Sequence, residues 1–162
     1  MTAAITITFD DAAIQRALKQ LSGQIADLTP VMDDIGQTLA DNIRLNLGEG
    51  RQYDGQPMVP LKQQRPRQGH RRVSDVPLND TRQHIYNRIT HQADAHSVAV
   101  GMNEEVKIGA LHQFGGQAGR GRKVTIPARP FLPIRDGAVD LPTAWAEAIQ
   151  TIIRNALEET LP

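Results

Sequence analysis

The sequence predicts an α+β fold, an antiparallel sheet with a tandem helix pair and a C-terminal helix packed on it. Three observations carry that prediction. Apolar residues recur with a period of two at the start of the chain, two stretches of three-and-four spacing follow directly, and short β-type runs return in the second half before a last amphipathic segment. A chain of 162 residues with 40% hydrophobic and 22% charged side chains suits one globular domain around one core, so residues 1–162 are expected to form a single domain.

The opening "AITITF" alternates Ile5, Ile7 and Phe9 with Thr6 and Thr8, the pattern of a half-buried strand. Asp10 follows as a helix cap, with Phe9 and Ile14 placed for a hydrophobic staple. Ile14, Leu18, Leu21, Ile25 and Leu28 then mark one amphipathic helix. Thr29 as cap and Pro30 in the first turn start a second, with the stripe Val31, Ile35, Leu39, Ile43 and Leu47 and a stop at Gly48.

Periodicity is lost from residue 48 to 81, a stretch crowded with Gly, Pro, Gln and Arg, which reads as an extended loop. Its few apolar residues do not offset an ordering cost of about 1–2 kcal/mol per backbone residue, so it is expected to be mobile in the free subunit. Strand signals return in "HIYNRITHQ" and "HSVAVGM", joined by the turn "ADA", and again in "KVTIPA". A helical turn is expected near Ala110–Phe114, ended by glycines, and the Gly-rich stretch after it reads as a second loop. The C-terminal helix, opened by Asp140 and Pro142, places Leu141, Trp145, Ala148, Ile152 and Ala156 on one face.

Eighteen basic and eighteen acidic side chains cancel, so no global field points to nucleic acid or to a membrane. Two local basic loops stand out. Residues 51–72 hold Arg51, Lys62, Arg65, Arg67, Arg71 and Arg72 against the single Asp54, and residues 117–123 hold Arg120, Arg122 and Lys123. The absence of cysteine removes disulfides, thiolate chemistry and Cys-based metal sites, and fits a reducing compartment. The first thirty residues carry no signal-peptide pattern and no run long enough to span a bilayer, so the chain is expected in a cytoplasm with no membrane partner.

Catalytic and metal constellations are weak. His84, His91, His96 and His112 are candidate ligands, yet the odd separation of His84 and His91 sets them on opposite faces of one strand and no HxH or HxxxH spacing accompanies them. Ser22, Ser74 and Ser97 lie in no G-x-S-x-G elbow. The glycines at 115, 116, 119 and 121 lack the lysine-hydroxyl ending of a phosphate loop, and Asp33 and Asp34 read as solvated helix carboxylates. No catalytic residue, cofactor or metal is therefore expected.

Two stretches remain. In "ALHQFGG", Leu111 and Phe114 form a small apolar face, His112 and Gln113 are expected to point outward, and Gly115 and Gly116 permit a sharp turn, together a docking corner. In "IPARPFLPI", Pro127, Pro130 and Pro133 forbid regular helix and hold Phe131 and Leu132 extended. With "GQPMVPL" at 55–61, "LNDT" at 78–81 and "VAVG" at 98–101, these stretches are colinear along most of the chain, and on them the sequence resembles the phage virion morphogenesis family of tail completion proteins from Mu-like phages and prophages. Met58 stands where that family usually has tryptophan, and Arg82 where it commonly has glycine.

The resemblance implies a non-enzymatic protein that completes the tail or the head–tail joint. It would act through a homo-oligomeric ring and contacts to phage neck or tail proteins, in the host cytoplasm during assembly and then in the virion. Leu111, His112, Gln113, Phe114, Gly115, Gly116, Arg129, Pro130, Phe131 and Leu132 are the expected assembly interface. The alternative is a nucleic-acid-binding module in which the basic loops 51–72 and 117–123 contact partner or genomic DNA; salt separates the two, because phosphate contacts weaken steeply with ionic strength.

Overall fold

A computed structural model of the chain describes residues 6–7, 12–23, 27–62, 76–78, 85–103 and 106–160. In order they form β1 (Thr6–Ile7), α1 (Ala12–Ser22), α2 (Thr29–Glu49), β2 (Ile89–Ala93), β3 (Val98–Met102), α3 (Val106–Phe114), β4 (Gly116–Ala118), β5 (Val124–Ile126), β6 (Ile134–Arg135), β7 (Ala138–Val139) and α4 (Thr143–Thr160). The fold is α+β, with helices and short antiparallel strands. No helix of the described residues is long and apolar enough to cross a membrane.

The chain divides into two compact units, one made of Met1–Ala3, Ile43–Ile89 and Met102–Pro133, the other of Ala4–Asn42, Thr90–Gly101 and Ile134–Pro162. The second unit holds most of the three-stranded sheet, in the order β1-β3-β2, with β1 antiparallel to β3 through Thr6↔Ala99 and Ile7↔Val98. The β2–β3 turn is tied by Asp94, whose carboxylate accepts from the Ser97 hydroxyl and from the backbone N–H groups of His96 and Ser97 at 2.7–2.8 Å. These bonds, the His96 backbone N–H foremost, hold the Asp94 carboxyl below the usual carboxylate range.

In the same unit α1 packs on α4. The buried side chains include Ile14, Leu21, Leu28, Ile35, Leu39, Val98, Trp145, Ile149 and Ile153. The buried stripe of α4 thus steps by four from Trp145 through Ile149 to Ile153, while Ala148, Ile152 and Ala156, expected on that face, are only half-buried. α1 ends at Ser22, where Gly23 donates back to the Gln20 carbonyl, rather than running on to Leu28; Ile25 lies outside the described residues. Thr29 is already helical, and the capping acceptor is Asp27, whose Oδ1 takes the Thr29 N–H at 2.9 Å and whose carboxyl is held low by the hydrogen bonds from Thr29. The β6–β7 hairpin turns on Asp136 and Gly137, both at positive φ (52° and 79°), a two-residue turn of the Asp-Gly kind that the sequence reading passed over.

The first unit takes up the end of α2. The helix passes through Gly48 and stops at Gly50, which adopts φ 69° while its N–H reaches the Leu47 carbonyl and the Arg51 N–H reaches that of Asn46, the two bonds of a Schellman end. Residues 50–62 of the expected loop then have a fold of their own. Arg51 bridges Pro57, Met58 donates to Gly50, Asn46 Nδ2 donates to the carbonyls of Gln52 and Tyr53, and Tyr53 and Met58 are buried. Residues 63–75 and 79–84 of that loop and its neighbour lie outside the described residues. A short 3-10 turn at Tyr86–Arg88 occupies the start of the strand expected from His84, so β2 begins only at Ile89.

One close approach in the second unit rests on a missing side chain. A Cβ at Gly36 of α2 would lie 2.5 Å from the His91 ring and 2.8 Å from a Val98 methyl, and His91 Nε2 is 2.8 Å from Asp33 Oδ1 on the same helix. Helix propensity favours alanine there by about 1 kcal/mol, whereas overpacking typically costs about 1–3 kcal/mol. With a buried β-branched neighbour and a ring held by Asp33, the clash wins. Gly36→Ala is therefore expected to lower the denaturant midpoint of the chain; an unchanged or raised midpoint would show that His91 yields.

Candidate assembly site

The residues singled out in "ALHQFGG" and "IPARPFLPI" meet in the first unit, but with their faces exchanged. α3 begins at Val106, a turn earlier than expected, and its inward face is set by Gly109 and Gln113, one helical turn apart. A Cβ at Gly109 would lie 2.5 Å from Met102 Sδ and 3.7 Å from the Phe131 ring, so the helix sits close on both. Gln113, expected outside, is 3% exposed, and Phe114, expected on a small apolar face with Leu111, is 63% exposed.

Gln113 acts as a strand partner made from one side chain. Its Oε1 accepts the N–H groups of Phe131 at 3.0 Å and Leu132 at 2.9 Å, and its Nε2 donates to the Leu132 carbonyl at 3.0 Å. The flanking Pro130 and Pro133 have no N–H to offer a ladder, so the buried dipeptide between them takes its hydrogen bonds from a helix side chain. Phe131 and Leu132 are 1% and 6% exposed, part of the core rather than a surface presentation.

Four further bonds close the arrangement. Arg129, itself buried, donates from Nε to the Val59 carbonyl at 2.7 Å and from Nη2 to that of Pro60 at 3.2 Å, which joins "IPARPFLPI" to "GQPMVPL". Its N–H reaches the His112 carbonyl at 2.7 Å, and the Tyr53 N–H reaches the Pro130 carbonyl at 3.2 Å. Gly115, at φ 73°, turns the chain where a Cβ would lie 2.9 Å from the Ala128 nitrogen, a backbone atom that has no rotamer to relieve the clash. Leu111 and His112 are half-buried, as is Pro130, and Gly116 opens β4 opposite Ile126.

The second basic loop is the tip of the β4–β5 hairpin. Gly116, Gln117 and Ala118 pair with Ile126, Thr125 and Val124, and Gly119, Gly121 and Arg122 at positive φ carry the chain round. Arg120, Arg122 and Lys123 are all exposed there, as is Val124 at 52%. The first basic loop is not gathered in the same way. Arg51 turns back on its own segment, with Nε 3.0 Å from Glu49 and Nη1 donating to Gly55; Lys62 is exposed; Arg65, Arg67, Arg71 and Arg72 lie outside the described residues. Among the described residues no group of three His, Cys, Asp or Glu is placed to hold a metal ion, and the polar groups at Gln113 and Arg129 are engaged with backbone rather than aimed at a cleft.

The comparisons agree on one family. The model of the phage virion morphogenesis family matches residues 9–158. A Mu-like prophage protein of Haemophilus influenzae, FluMu G protein 2, is 40% identical over 119 residues, covering 74% of this chain and 75% of that protein. No solved structure matches.

The geometry ranks three substitutions. Gln113→Ala leaves two buried N–H groups and a carbonyl without their partner, at about 1–3 kcal/mol each, a large part of a total stability of about 5–15 kcal/mol. Gly115→Ala adds backbone strain of about 1 kcal/mol or more together with a backbone clash. Phe114→Ala, at an exposed site, should stay within about 0.5 kcal/mol. Urea unfolding is expected to return that order, and a Phe114→Ala protein as unstable as Gln113→Ala would place the ring in the core after all.

Proposed function

The chain belongs to the phage virion morphogenesis family, and from that premise we propose that it is a structural, non-catalytic virion protein that completes the tail or the head–tail joint. It does so by associating with copies of itself and docking on neck or tail components, in the host cytoplasm first and then in the particle. The observation that carries this reading is the convergence of three family-like stretches on Gln113 and Arg129. Gln113 and Arg129 go into holding backbone in place, which is how a scaffold uses such groups, while Phe114, Val59 and Val124 are left exposed as apolar contact groups. An enzyme of this size would aim such groups into a pocket.

Complementation tests the reading. A phage or lysogen lacking this gene should yield tailless or unjoined particles by electron microscopy. Phe114→Ala is expected to fold and to lower the yield of complete particles, and His112→Ala to complement, because the contact joining it to Arg129 runs through its main-chain carbonyl. A folded His112→Ala protein that assembles normally into particles yet fails to complement would be the signature of catalysis and would remove the structural reading.

A second reading rests on the exposed Arg120, Arg122 and Lys123, a nucleic-acid contact made by the hairpin tip. Three phosphate contacts give a salt slope of about −2 to −3 for duplex DNA. Retention of DNA on the immobilised protein at low salt with that slope supports it, and no retention removes it.

A further inference from the structure

The neutral total conceals a division of charge between the two compact units. The unit of Met1–Ala3, Ile43–Ile89 and Met102–Pro133 carries fourteen Lys or Arg against six Asp or Glu, a net +8; the other carries four against twelve, a net −8. Each has one surface of nearly a single sign. In the basic unit, residues 106–133 contain no carboxylate, and Lys107, Arg120, Arg122 and Lys123 are exposed, three of them on the β4–β5 tip. In the acidic unit, no Lys or Arg occurs from residue 20 to 42, and the outward stripe of α2 carries Asp34, Gln37 and Asp41 at helical spacing, all exposed.

We propose that the occupant of the basic hairpin is a second copy of this chain, which presents the acidic outer face of its α2. The proposal rests on the self-association in the assembly reading and adds to it the surfaces and the force. Charge complementarity selects the partner: a chain whose own sequence supplies both signs in equal and opposite amount makes its best polyelectrolyte match with itself. Exposed apolar groups flank the same hairpin in the chain. Val124 opens β5 beside the basic tip and Phe114 ends α3 two residues before β4, both more than half exposed; a protein face can cover such groups, and the phosphate edge of a duplex cannot. A contact with distinct donor and acceptor faces is also the kind that closes a ring of identical subunits.

Sedimentation of the full chain tests this at about 0.05 M and about 0.5 M NaCl, where the screening length falls severalfold. The self-association constant of the wild-type chain should weaken at least about tenfold across that range. At the lower salt Arg120→Glu/Lys123→Glu and Asp34→Lys/Asp41→Lys should each be monomeric, and an equimolar mixture of the two should associate again, because each reversed face then meets a complementary one. All four sites are exposed, and melting curves check that both variants fold; the wild-type salt series does not depend on them. Association that is unchanged in both variants and at high salt overturns the polarised contact and leaves the assembly role standing. A wild-type chain that is monomeric at low salt overturns the contact too. If Arg120→Glu/Lys123→Glu loses retention of duplex DNA while its self-association is unaltered, the hairpin belongs to nucleic acid and the proposal falls.

Discussion

One side chain decides the architecture of the basic unit. The peptide between Pro130 and Pro133 is buried, and burial requires its two N–H groups and its carbonyls to find partners. A neighbouring strand would have to run past two prolines that donate nothing, so a ladder is a poor solution there. The Gln113 amide supplies both an acceptor and a donor in a plane, the pattern of a peptide group, and closes three hydrogen bonds from within a helix. Asparagine would be too short by one methylene, and glutamate would lose the donor and bury a charge.

Everything nearby is then constrained by how close α3 must come. Gln113 reaches the dipeptide only because Gly109, one turn earlier, admits Met102 and the Phe131 ring against the helix axis. With the helix fixed, the chain must leave it sharply to begin β4, and Gly115 turns it against the backbone of Ala128. The same docking places the His112 carbonyl over the Arg129 N–H. Arg129 carries the constraint outward, since its guanidinium is held by the Val59 and Pro60 carbonyls and so fixes the segment after α2. A buried guanidinium is tolerated when its donors are satisfied, and two backbone carbonyls take up part of that need here.

This explains what the sequence could and could not disclose. The α+β class, the stripe of α2 and the β2–β3 hairpin follow from periodicity alone, because each depends on one face meeting a core. "ALHQFGG" and "IPARPFLPI" stood out in the sequence too, but not that they bond to each other or which side chains face inward. Periodicity counts leucine and phenylalanine as interior and glutamine as exterior, whereas here the interior needs a hydrogen-bonding group more than a ring. The signal available was the pair of prolines around Phe131 and Leu132, which leaves amides in search of a partner. The α4 stripe went astray by a similar shortcut, since alanines at 148 and 156 satisfy a hydrophobic template without filling space, and Ile149 and Ile153 do fill it. The ordered fold of residues 50–62 was hidden because its contacts are to Asn46 and Pro130, distant or polar partners that no local pattern encodes.

Net charge taught the opposite lesson. A total of zero properly excludes a strong global field, yet it is a sum over the chain, and folding partitions the chain into segments rather than averaging it. Surface charges act at distances of about 10 Å or less in salt, so a neighbouring molecule responds to the local sign and not to the total. The basic hairpin tip also carries little of the unit's stability, as its side chains are exposed, while the Gln113 and Arg129 contacts lie inside. Exposed positions open to a partner are in this way separated from positions that hold the fold, so the surface charges can change where the interior hydrogen bonds cannot.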